Sequence, residues 1–436
     1  MNLYRAFFYL GIAAPALAQY AGPAILSRGD LPTSMAGAPI DFRPFLTVTG
    51  TYDTGLAGAA ANAKGQLANT ASYGMQFTGG LSGIHSWEHT KVGLDYTGSL
   101  NRYFEKTYFN RSNQSLSLDI SHQFAEHLIL NLKETAGTFS QNFNSLGVPE
   151  TVLADSSQGG IPVTDFVDNR TSYLVTQADL ILQKNARLSF DLGGSSSIVR
   201  QSALYGLDGA SARGDVQYRL TEGSTIGAIY TYWNYNYTGL IGTTDVHTVS
   251  GTFTTRLSQR WEFSGYGGAS RQENKFAQAI PLDPTVARLL GVSSVVGLAY
   301  GNHFVPTGSA RLARTFHTGV FYVTGSRAVT PGNGLFLTSN TATGALGYTY
   351  TGLHYWSFTS QAQYQRANSV GNLVGTYADT MGSLSMTRRI TGALHFVAGG
   401  DVRRYQSAAY SLYNRMVYNV YIGVGFAPGS VPLRMW

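Results

Sequence analysis

"ASARGDVQYRL", residues 210–220, places Arg213, Asp215, Gln217 and Arg219 at every second position, with Ala212, Gly214, Val216, Tyr218 and Leu220 between them. Side chains alternate between the two faces of a β-strand, so this spacing sorts the polar residues onto one face and the smaller or apolar ones onto the other. A helix of about 3.6 residues per turn would scatter the same four around its circumference. The pattern recurs as Leu-Ser-Leu-Asp-Ile-Ser at 116–121 and Leu-Ser-Phe-Asp-Leu-Gly at 188–193. At 249–257, Val249, Gly251, Phe253, Thr255 and Leu257 oppose Ser250, Thr252, Thr254 and Arg256; at 355–366, Trp356, Phe358, Ala362 and Tyr364 oppose Gln361, Gln363 and Gln365. The tripeptide Arg213-Gly214-Asp215 is also an adhesion motif, but such a motif must sit on an exposed loop and this one lies inside a strand.

Eighteen alternating segments can be marked between residues 44 and 427, beginning with 44–52 and 72–83, with sixteen or twenty as the alternative counts. Connections after even-numbered segments are short, as at 84–88, 125–126, 184–186, 221–223, 258–260 and 315–316. Every long gap, at 53–71, 139–170 and 273–301, follows an odd-numbered one. An even set of antiparallel strands with tight turns at one end and longer loops at the other predicts an all-β, closed, transmembrane barrel. Closure pairs every backbone group inside the wall, which hydrocarbon requires. A β-sandwich has no reason to segregate loop lengths by parity, and a propeller would repeat about every 40 residues.

Composition agrees. Charged residues are 12% of the chain, about half the share usual in soluble domains, while Gly (51), Tyr (28) and Phe (22) are abundant. There is no cysteine, which excludes disulfides, thiol chemistry and thiolate metal sites. Residues 1–18 combine Arg5, an apolar run and Ala16-Leu17-Ala18, the form of a cleaved secretory signal. Residues 19–43, rich in Pro and Gly, read as an irregular periplasmic segment, 44–427 as the barrel and 428–436 as a tail. The net charge of +6 comes from dispersed residues, a poor fit to nucleic-acid binding.

The signal, the even set of strands and the closing "MVYNVYIGVGF" resemble bacterial outer-membrane barrels of the porin type. That resemblance implies outer-membrane lipid and the barrel-assembly machinery as partners, and Phe426 or the terminal Trp436 as the aromatic assembly signal. The opening "YAGPAILSRGDLP" is similar to barrel proteins that accompany polysaccharide export.

A barrel of sixteen to eighteen strands is too wide for side chains to fill, so a pore for small polar solutes or saccharides is expected. Strand parity turns Arg213, Asp215, Gln217, Arg219, Arg256, Gln361, Gln363, Gln365, Asp401 and Arg403 towards the lumen, where opposed charges would select by size and charge. The segment 139–170, with Asp155, Asp165, Asp168 and Arg170, is the candidate constriction. A sugar-selective or polysaccharide-export channel is the alternative. The histidines are scattered, mostly at turns, without the base and nucleophile arrangement of an enzyme. A gated transporter would need a far larger plug than the leader can supply. No pattern implies a metal or cofactor.

Overall fold

A computed structural model gives the fold over residues 40–61, 67–105, 110–140, 170–201, 206–238, 242–283, 285, 288–289, 291, 293–331, 338–369, 375–407, 414–428 and 431–433. The strands are β1 (Ile40–Ala61), β2 (Leu67–Ser86), β3 (Thr90–Tyr103), β4 (Arg111–Ala125), β5 (Leu128–Ser140), β6 (Arg170–Gln183), β7 (Leu188–Gln201), β8 (Gly206–Thr221) and β9 (Ser224–Thr238). They continue as β10 (Gly242–Arg256), β11 (Trp261–Pro281), β12 (Ser294–Phe316), β13 (Gly319–Thr330), β14 (Ser339–Tyr350), β15 (Trp356–Ser369), β16 (Thr376–Arg389), β17 (Leu394–Ser407), β18 (Arg415–Phe426) and a short β19 (Val431–Leu433). Each long strand pairs antiparallel with its sequence neighbours, and β1 pairs with both β2 and β18. The result is a closed, all-β, antiparallel barrel of eighteen spanning strands, as the alternation predicts.

The wall has two chemically distinct faces. Leu46, Leu118, Leu180, Leu192, Val216, Tyr218, Val249, Phe253, Leu384, Val420 and Ile422 are exposed on the outside. Their strand neighbours Thr49, Asp119, Asp191, Asp215, Ser250, Thr252 and Asn419 are buried within. An apolar surface wrapped round a whole barrel belongs in hydrocarbon, with the polar face inside. The tight turns, such as 126–127, 222–223 and 317–318, lie at the end where β1 begins and β18 finishes, the periplasmic end of such barrels. An outward-facing girdle marks that border: the Arg314 guanidinium lies 5.0 Å from the Trp261 ring centroid and 4.6 Å from that of Phe316, and Arg388 lies 5.1 Å from Trp356. Guanidinium and aromatic groups both suit the interface between lipid tails and water.

Three expectations change. The gap at 53–71 is mostly strand, because β1 runs to Ala61 and β2 starts at Leu67. Its "GLAGAAANAKGQLANTA" has too few large apolar side chains to show alternation, although backbone pairing continues through Leu56↔Thr70 and Ala57↔Asn69. The gap at 273–301 shrinks to 282–293, since β11 and β12 extend towards each other. β12 meets β13 only from Gly308 onward; among the described residues, Ser294–Thr307 has no strand beside it on that edge. The first strand starts at residue 40 rather than 44, and the tail contains β19, which pairs with β1. Leu46 faces Phe426 while Ile40 faces Leu433, so six steps along β1 match seven on the other chain segment. β1 therefore pairs with β18 and then β19 along one edge, with the register offset by one residue between the two.

Candidate functional site: the charged inner wall

β8 places Arg213, Asp215, Gln217 and Arg219 on the inner face, with Val216, Tyr218 and Leu220 outside. Asp215 faces Asp191 of β7, and Arg213 faces Gly193. Gly193 in turn faces Asp179 of β6. Because Gly193 has no side chain, the Arg213 guanidinium crosses above β7 and donates to Asp179 Oδ1 and Asp191 Oδ2, both at 2.7 Å. A Cβ at Gly193 would stand 2.1 Å from Asp179 Oδ1 and 3.2 Å from the Arg213 guanidinium. Arg213, with its side chain 11% exposed, is therefore a clamp inside the wall.

On the other side of the lumen Arg403 is held in the same way, donating through Nε to Asp379 Oδ1 and Oδ2 at 2.9 and 2.8 Å, with its guanidinium 4.8 Å from the Tyr405 ring. Asp401 accepts from Asn419 Nδ2 at 3.3 Å. Asp119, fully buried on β4, faces Lys133 of β5.

Arg219, Arg256 and Arg311 behave differently, forming no ion pair among the described residues. Arg219 makes a weak 3.4 Å bond to the Glu222 carbonyl, and Arg256 and Arg311 are exposed. The ladder joins two of them in one row, running Arg219, Thr225, Thr254, Ser264, Arg311 from β8 to β12. Four strand spacings of about 4.8 Å set the two backbones about 19 Å apart along the wall. Gln361, Gln363 and Gln365 line the inner face of β15, with Tyr364 turned out to lipid.

Towards the extracellular end the inner face closes up. Tyr235, Tyr237, Gln272 and Asn274 are fully buried there, as are Tyr377 and Tyr405 across the lumen. Tyr237 donates its hydroxyl to the Pro331 carbonyl at 3.2 Å and lies 2.6 Å from Thr338 Oγ1; Thr244 Oγ1 is 2.9 Å from the same Thr338 oxygen and donates to Asn274. Both ends of the β13–β14 connection are thus tied to the inside of β9 and β10. Sequence reasoning missed this contact, whose partners lie 94 to 101 residues apart and carry no motif. In the expected constriction, Asp155, Asp165 and Asp168 lie outside the described residues. Arg170 is the first residue of β6, reaching Ser112 Oγ at 3.4 Å. Phe426 ends β18 on the outer face, and Trp436 lies outside the described residues.

No protein-family model matches the chain, and no curated protein matches its sequence. Among solved structures, it resembles Pseudomonas aeruginosa OpdQ at 10% identity, covering 91% of this chain and 98% of that one with a TM-score of 0.44. It resembles P. aeruginosa OccK5 (OpdH) at 13% identity, covering 90% and 98% with a TM-score of 0.43. The ferric-catecholate import receptor Fiu of E. coli K12, in its open form, matches at 10% identity over 87% and 81% with a TM-score of 0.44. These values are too low to carry a function from any of the three to this chain.

Proposed function

We propose that this chain is an outer-membrane channel for passive diffusion of small hydrophilic solutes, in which lumen arginines that form no ion pair among the described residues select by charge and size. The observation that carries the reading is the inner-wall row from Arg219 to Arg311, two guanidiniums with no ion pair among the described residues, joined by Thr225, Thr254 and Ser264, with Arg256, which faces Glu262, at its periplasmic edge. Arg213 and Arg403 leave this role, because carboxylates already neutralise them. A guanidinium facing water in a low-dielectric wall attracts anions over several ångströms, and neighbouring hydroxyls replace part of a solute's hydration shell. Saccharide transport has less support: Tyr235, Tyr237, Tyr377 and Tyr405, which could stack on sugar rings, are buried.

The test is conductance in planar bilayers. Folded protein should conduct, and changing Arg219, Arg256 and Arg311 together to Glu should move the reversal potential towards cation selectivity. Folded protein without conductance, or an unchanged potential in the triple variant, overturns the reading.

A further inference from the structure

Glu134 lies at the middle of β5, facing Leu118 of β4 and Thr176 of β6, while its neighbours Lys133 and Thr135 point into the lumen. Leu118, Leu132 and Leu174, on the same outer face around it, are exposed as lipid-facing residues are. Glu134 has no hydrogen bond or ion pair among the described residues. A carboxyl group presented to hydrocarbon at mid-depth is unfavourable, and such residues turn towards protein or water in membrane proteins. The second observation is the surface beside it. The outer face continues through Ala136, Thr176 and Ala178 to Gly194 and Ser196, directly paired as Thr176↔Ser196 and Ala178↔Gly194. Along that line the wall is low, flanked by Leu132 and Leu174, which pair with Ala178 and Ala136.

We propose that the outer face of β5–β7 is a lateral interface with a second copy of this chain, in which Glu134 meets the Thr176 and Ser196 hydroxyls of its neighbour. The patch is self-complementary in the way a two-fold contact requires, since it holds both the carboxyl group and the hydroxyl donors. Small residues let two walls approach closely, and in membranes such close packing with a polar bond drives association. Carboxylate and hydroxyl then satisfy each other out of contact with lipid.

The chain has no cysteine, so a single introduced thiol reports the contact without background. In folded protein reconstituted into lipid vesicles, Thr176→Cys should give a disulfide-linked dimer on mild oxidation. Leu384→Cys, on the opposite wall, should stay monomeric. Adding Glu134→Leu to Thr176→Cys should lower the cross-linked fraction about threefold or more, while Glu134→Gln, which still hydrogen-bonds, should largely keep it. A monomeric Thr176→Cys protein, or equal cross-linking from Leu384→Cys, overturns the proposal. An association indifferent to Glu134→Leu would overturn the role given to the carboxyl group.

Discussion

Gly193 carries no side chain at the point where Arg213 crosses β7 to reach Asp179. Replacing it with Ala would push the Asp179 carboxylate aside and break that arm of the clamp. A charge-assisted hydrogen bond of this kind contributes about 1.5–3 kcal/mol, so Gly193→Ala should lower the urea midpoint of vesicle-embedded protein by a matching amount. Arg213→Gln goes further, leaving Asp179 and Asp191, on neighbouring strands, without their shared cation. It should destabilise by about 3 kcal/mol or more with little change in reversal potential. Arg219→Glu should do the reverse, changing selectivity at nearly constant stability. The two arginines sit on one face of one strand, and parity alone assigns both to the lumen. What separates them is the residue two strands away, which depends on register across β6, β7 and β8 and is not visible in "ASARGDVQYRL" itself.

At the scale of elements, Tyr237 and Thr244 together tether Pro331 and Thr338, the two ends of the β13–β14 connection. Tyr237→Phe keeps the ring in its packed position and removes the donor to the Pro331 carbonyl and the contact with Thr338. The loss is about 1 kcal/mol, and single-channel recordings should show greater open-state noise as the connection loosens. A trace as quiet as the original would mean that the tie does not restrain the connection. Strands with large outward side chains, such as β8, β10 and β18, could be read directly because leucine, valine and aromatic residues marked their faces. The upper parts of β1 and β2, built of Ala, Gly and Asn, could not, since pairing there rests on backbone groups that sequence periodicity does not record. The upper half of β12 was hidden differently: Val296, Leu298, Tyr300 and Phe304 alternate well, but they stand above the neighbouring β13 rather than beside it.

For the whole molecule, strand number and closure follow from local patterns, but the seam does not. At that seam a Cβ on Gly423 would lie 2.0 Å from the Val48 carbonyl oxygen and 2.6 Å from Thr49 Cα, both backbone atoms that cannot rotate away. Gly423→Ala should therefore part β18 from β1 and reduce the fraction of protein that reaches the compact, heat-modifiable form on gels. Normal yield of that form would show that the seam can absorb the methyl group. Leu46 and Phe426 come together across nearly the whole chain, whereas almost every other strand pair forms between sequence neighbours. Bringing such distant segments together carries the largest loop-closure entropy and is the slowest kind of contact to form. Until that seam forms, the backbone groups that β1 and β18 exchange there have no partner in the sheet, so the last contact to close is also the one that removes the sheet's two terminal edges.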